Sequence, residues 1–365
     1  MASETPFSTN CPAPDDAQAL DGDGVSVGHP CTMAQTRLRT IPANSVMVPI
    51  MKLRPTRAAI VAMVFIVGLS GCGDGSGRPS ASTDGARNRP RVVVTYSILG
   101  AVVRDIVGDA ADVKVLMANG TDPHEWRPSA RDVEAMRMAD LVVDNGLGLE
   151  GNLLDPLKDA AANGARVFTV ADHITIRKVK AGEGAAPDDP DQAPGADDPH
   201  LWMDPLTMRQ WVAPLVPVLR EVGIDASTRA GAVEKELEAL NAEVAAILNA
   251  VPAPRRKLVT GHESLGYLAQ RYGYRLVGAV VPALSSQAEP SAGQLADLIA
   301  KIKQAGVPAI FTEVGTSAST VKAIADDSGT KVVALAMHNL PADGSYRTFM
   351  LDIANVIASS LGAET

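Results

Sequence analysis

The chain has 365 residues, a net charge of −9 and few aromatics (4%), with an ordinary apolar content of 46%. That length is enough for two modest domains, each with its own core. An excess of 42 carboxylates over 33 cations excludes the basic face that a nucleic-acid partner would require, so no nucleic acid is expected.

Residues 1–50 are polar and Pro-rich without sustained periodicity, and read as an upstream extension that takes no part in the fold. At Met51 a different pattern begins, MKLRPTRAAIVAMVFIVGLSGCGDG. Lys52, Arg54 and Arg57 precede an apolar run over 58–69, and Leu69-Ser70-Gly71-Cys72 closes it. A basic start, a short apolar core and a small-residue exit make 51–71 a secretory signal. The run is too short to span a bilayer comfortably. Its ending resembles a bacterial lipobox, which implies a lipid on Cys72. The expected location is therefore outside the cytoplasm, anchored to the outer face of the cell membrane or periplasmic. Cys11 and Cys31 lie upstream of the cleavage point, so the exported chain is expected to fold without disulfides. Residues 72–90 read as a Gly/Ser/Pro tether.

From residue 91 short apolar runs alternate with amphipathic segments. RVVVTYS, ADVKVLMA, DLVVDNG and RVFTVAD read as strands, separated by the helices ILGAVVRDIVG, SARDVEAMRMA and LLDPLKDAAANG. A polar insertion follows, KAGEGAAPDDPDQAPGADD, carrying Asp188, Asp189, Asp191, Asp197 and Asp198. DPLTMRQWVAPLVPVLREVG reads as one helix despite its prolines. Residues 227–251 read as a long helix with apolar residues three to four apart. The alternation then restarts, with strands KLVTG, YRLVGAV, PAIFTEVG and KVVALAM and helices LGYLAQRYG, AGQLADLIAKIKQAG, ASTVKAIADDSG and SYRTFMLDIANVIASSLG. Strands that alternate with helices imply βαβ units and parallel sheets. The expected fold is α/β: two lobes over 91–225 and 252–365, each a mainly parallel sheet flanked by helices, joined by one rigid helix over 226–251. No G-x-x-x-x-G-K-[ST] loop occurs, which leaves an ATPase reading without support.

Two of the six histidines sit in a repeated tripeptide, Asp-Pro-His, in GTDPHEW (120–126) and DDPHLWMD (197–204). His124 follows the second strand after a turn, His200 follows the polar insertion, and His262 and His338 come directly after the strands KLVTG and KVVALAM. Ligands of parallel α/β sheets bind outside the carboxyl ends of the strands, so two facing lobes would close these four imidazoles into a nitrogen-rich metal site. A lone histidine at a strand end is more often hydrogen-bonded structure, and His173 is read that way. Asp122 and Asp198 are suited to orienting the imidazoles. Trp126 and Trp202 either wall the site from water or simply pack.

The segments DPHEWRPSARDVEAMRMADLVVDNGLGLE, DPHLWMDP and TGHESLGYLAQRYG resemble the metal-binding lipoproteins of bacterial zinc and manganese ABC importers, the cluster A-I solute-binding proteins. The likeness runs over roughly 91–362. It implies two α/β lobes with the metal between them, and His124, His200 and His262 as ligands. The family's fourth ligand is usually an Asp after the last strand. Here MHNLPADGSY puts His338 at that place, with Asp343 five residues on as the alternative, and Glu313 either supports the site or makes a lobe contact. The resemblance further implies an ABC permease and its ATPase as partners, a monomeric carrier, a lipid link to the membrane and possible supply by a periplasmic metallochaperone.

Three or four imidazoles suit Zn(II) better than Mn(II), which prefers oxygen donors. The expected function is capture of Zn(II) as the transported ligand and its delivery to the permease. Alternatives are a carrier of Mn(II) or another divalent metal, or a surface adhesin. A secreted metalloenzyme is disfavoured, because HESLG has Gly266 where a helical His-Glu-x-x-His motif needs its second His. Zinc relatives often carry a His-rich loop where this insertion lies; its lack of histidine favours a solvated linker.

Overall fold

Strands of four to seven residues and their helices build two sheets of the same plan. The computed structural model describes residues 89–180, 183 and 193–362, all within one compact unit. The leader, Cys72 and Asp188, Asp189 and Asp191 lie outside the described residues. In the first half β1 (Arg91–Val94), β2 (Asp112–Val115), β3 (Leu141–Asp144) and β4 (Arg166–Thr169) pair in parallel in the order β2-β1-β3-β4. In the second, β5 (Lys257–His262), β6 (Arg275–Val281), β7 (Ala309–Thr312) and β8 (Lys331–Ala334) repeat it as β6-β5-β7-β8, again all parallel. The order reverses between β1 and β3 and between β5 and β7. A crevice opens beyond the strand ends at such a reversal.

The connecting helices start and stop where their sequences dictate. In the first lobe α1 (Ser97–Val107), α2 (Ala130–Arg137) and α3 (Leu154–Ala162) link the strands. Ser129 caps α2 in a reciprocal box with Asp132, which satisfies two otherwise orphaned amide donors. The segment after the insertion forms two helices, α4 (Pro205–Gln210) and α5 (Val212–Glu221), broken at Trp211. Pro214 has no amide hydrogen to give Gln210, which leaves the helical ladder one bond short where α4 meets α5. The 23-residue α6 (Ser227–Asn249) buries Ala230, Val233, Leu237, Leu240, Val244 and Leu248. That spacing of three or four draws one apolar stripe along about 35 Å of helix. In the second lobe α7 (Gly266–Tyr272), α8 (Ala292–Ala305) and α9 (Ala318–Ser328) each end on a left-handed glycine, at 273, 306 and 329. The last helix, α10 (Tyr346–Gly362), returns to pack on α6 and α1.

One large core joins the first sheet, α6, α10 and the inner face of the second sheet, including Leu258 and Phe311. The outer face of that sheet, through Val259 and Ile310, packs separately on Leu298, Ile302 and Ile324 from α8 and α9. Strand alternation assigns these neighbours to opposite faces. Among the described residues no helix is long and apolar enough to cross a membrane.

Candidate metal centre

His124, His200 and His262, from three distant stretches of chain, bring one ring nitrogen each within 4.8 Å of one another. His262 is the last residue of β5, where pairing to Val281 holds the backbone. His200 heads a short 3-10 turn that runs into α4. His124 lies on the loop after β2. His124 is half-buried, whereas His200 and His262 are enclosed.

The supporting carboxylates determine what the three nitrogens can do. Asp198 Oδ1 accepts from the His200 amide at 3.0 Å and lies 2.8 Å from His200 Nδ1. Glu313, just past β7, repeats the arrangement on the other lobe: its Oε1 accepts the His262 amide at 2.9 Å and lies 2.5 Å from His262 Nδ1. Each Nδ1 therefore carries the hydrogen and each Nε2 presents a lone pair. Those two Nε2 atoms lie 3.1 Å apart, and His124 Nε2 lies 3.3 Å from that of His200. Lone pairs so placed repel unless a cation, metal or proton, lies among them.

Burial and the neighbouring imidazoles disfavour protonating all three rings together. Burial, followed by the neighbouring imidazoles, holds the His124 ring well below its ordinary value. Burial also lowers His200 against the opposing pull of Asp198. At His262 burial is outweighed by the charge and hydrogen bond of Glu313, so that ring is held above its usual value. Neutral imidazoles are the metal-ligating form.

His338 lies four residues past β8, with its ring 6.3 Å from that of His262 and 5.9 Å from Trp202. It is 4% exposed, and neither ring nitrogen has a hydrogen-bond partner among the described residues. Burial pushes its pKa down to about 4. It stands outside the tight three-nitrogen group. Asp343, the alternative read from sequence, is exposed and accepts from the Ser345 amide and from Thr348 Oγ1 at 2.7 Å, at the start of α10. That engagement ties it to the start of α10, and it is not part of the three-nitrogen group.

The repeated Asp-Pro-His does not give two equivalent sites. Both aspartates accept the amide of the histidine two residues on, at 2.9 and 3.0 Å. Only Asp198 also meets the imidazole; Asp122 gives its second oxygen to Ser286 instead. The tryptophans diverge too. Trp202 is fully buried with its ring 5.3 Å from that of His200, while Trp126 is half-buried against the first lobe's core. His173 is exposed and stacks on Phe168 at 4.4 Å, away from the site.

Sequence reasoning missed Arg177. Its side chain is 3% exposed; one nitrogen donates to Asp198 Oδ2 at 2.9 Å and another pairs with Glu183. It thereby holds the carboxylate that orients His200. Gly266, read as the missing zincin histidine, is glycine because a Cβ there would strike Arg177 and Asp198. Nothing in ITIRKVKAGE marks one cation of three as buried. Glu263 is enclosed as well, and burial pushes it up to about 7.

Comparison with known proteins identifies the family. The family described as "Zinc-uptake complex component A periplasmic" matches residues 92–360. The zinc-binding protein TroA of Treponema pallidum is 31% identical over 278 residues, covering 74% of this chain and 84% of TroA. The manganese-binding lipoprotein MntA of Halalkalibacterium halodurans is 27% identical, covering 75% of this chain and 86% of MntA. The structure of periplasmic TroA superposes with a TM-score of 0.65 at 25% identity, covering 75% of this chain and all of that one.

Proposed function

The chain belongs to the periplasmic zinc-uptake component A family, and from that premise we propose that its cargo is Zn(II), held by His124, His200 and His262 with His338 as fourth donor. Proteins of this family are metal-binding components of ABC importers that work with a permease and an ATPase, and they are not enzymes. The observation that carries the zinc reading is the pair of Nε2 lone pairs of His200 and His262, 3.1 Å apart and each fixed by a carboxylate on the far side of its ring. An all-imidazole set suits zinc in tetrahedral coordination, whereas Mn(II) prefers carboxylate and water oxygens. The relatives' names include both metals, and the imidazole donors of this chain support zinc.

The ion enters as a divalent cation and leaves unchanged; no bond of a substrate is made or broken. Asp198 and Glu313 hold the rings and make them better donors. Their negative charge offsets that of the cation beside the buried Trp202 ring. In this reading Cys72 carries a lipid that keeps the chain at the outer face of the membrane. One chain supplies every proposed donor, so metal capture needs no second copy.

The test is a metal titration of the purified chain with Zn(II), Mn(II) and Cu(II) in competition against a chelator. One Zn(II) per chain, preferred over Mn(II), is expected, and replacing both His124 and His262 with Ala should abolish uptake. A double variant that binds as tightly as wild type would show that the site lies elsewhere.

A further inference from the structure

The turn that carries His124 is gripped by the opposite lobe at consecutive residues of one loop. Asp122, 3% exposed, extends from the first lobe and places Oδ2 2.6 Å from the hydroxyl of Ser286, which donates to it. That is the short range of a hydroxyl bonded to a carboxylate. The next residue, Gln287, donates its side-chain amide to the His124 carbonyl. Gly315, after β7, completes the socket: at φ +91° it has no Cβ, and one built there would stand 2.5 Å from Asp122 Oδ2. Asp122 Oδ1 accepts the His124 amide, so a grip on this carboxylate is a grip on the histidine's backbone. Upstream, Asn119 exchanges two hydrogen bonds with the backbone of Leu340, which pins the start of the loop independently.

The other three imidazoles are enclosed, which makes His124 the ligand at the site's open side. Withdrawal of the 122–124 turn would uncover the cation while His200 and His262 stay on their carboxylates. We propose that Ser286, Gln287 and Gly315 form a latch that holds His124 over the bound metal and sets the rate at which the metal leaves. They are positioning residues: none touches the ion, and each acts through the Asp122–His124 turn. The inference rests on the metal-capture reading.

Its test is stopped-flow transfer of Zn(II) from the loaded full-length chain to excess chromophoric chelator. Losing a hydrogen bond to a buried carboxylate should speed release about tenfold or more in Ser286→Ala. Ser286→Thr, which keeps the hydroxyl, should restore the wild-type rate. Gln287→Ala removes an exposed side chain and should accelerate release without altering the melting temperature of the metal-free chain, so it provides the readout if Ser286→Ala does not fold. One Zn(II) per chain with release within twofold of wild type in both alanine variants overturns the latch and leaves metal capture intact. A wild-type chain that takes up no Zn(II) overturns both.

Discussion

Asp198→Asn tests the role of the carboxylate behind His200 in the proposed site. Asp198 is fully buried and accepts three hydrogen bonds: from the His200 amide at 3.0 Å, from His200 Nδ1 at 2.8 Å and from Arg177 at 2.9 Å. The amide and arginine contacts exist whether or not metal is bound, so they largely cancel from the binding equilibrium. The Nδ1 contact does not cancel, because it strengthens when Nε2 gives its lone pair to a cation. A hydrogen bond to a charged group contributes about 1.5–3 kcal/mol. Second carboxylates behind metal-bound histidines are typically worth about 10–100-fold in affinity, or roughly 1.4–2.7 kcal/mol, and the two estimates agree. Asp198→Asn should therefore weaken Zn(II) binding by about 10–100-fold in a competition titration at neutral pH. The disturbed Arg177 pairing should appear separately, as a lower melting temperature of the metal-free chain. Glu313→Gln should have a similar effect on affinity through His262. Because the two carboxylates orient rings that share one cation, with Nε2 atoms 3.1 Å apart, the double variant should depart from additivity in free energy. Affinity within twofold of wild type in Asp198→Asn would refute the reasoning, since it would leave His200 unable to act as the oriented donor described.

The remaining predictions concern neighbouring groups. His338→Ala should weaken Zn(II) binding at least tenfold, whereas Asp343→Ala should leave it unchanged and only loosen the start of α10, as read by the same titration and by thermal melting. Metal uptake should release a proton wherever His262, held above its ordinary value by Glu313, still carries one, because the metal must displace it; affinity should fall as pH drops through that raised pKa, and calorimetry in buffers of different ionisation enthalpy measures the number released. Asp144, the last residue of β3, is pushed up to about 8 by burial, then by the charge of Glu150. A carboxyl raised in the folded state stabilises while protonated and loses that contribution as pH rises from about 4 to 8, at no more than ~1.4 kcal/mol per pH unit. Denaturant titrations across that range should show a decline in wild type that Asp144→Asn flattens.

Most of the fold was legible because its signals are local. Short Val-rich runs bounded by Gly or Asp mark the strands, and the glycines after α7, α8 and α9 mark the helix ends, so the βαβ order follows from alternation alone. The break at Trp211 was not apparent, because the apolar periodicity runs straight through it while the missing amide of Pro214 acts one turn earlier. Nor does alternation reveal that α10 lies back along α6; its apolar face fits either lobe. At the site, the histidines were identifiable from the repeated tripeptide and the strand ends. Their supports were legible only in part. Asp198 and Asp122 occupy identical sequence contexts, yet one meets its imidazole and the other reaches across to Ser286. That difference arises from which lobe each turn faces, a property of the assembled tertiary structure. Arg177 was hidden for the same reason: it sits among charged residues at the edge of a polar insertion, and only the packing of α7 with Gly266 encloses it.

X-ray absorption at the zinc edge of the loaded chain tests the central claim most directly. Ligation by imidazoles from both lobes predicts a nitrogen shell at about 2.0–2.1 Å with the outer-shell scattering of three or four imidazole rings, reduced by one ring in His262→Ala. A spectrum dominated by oxygen donors, or one unaltered by removing His262, would contradict it.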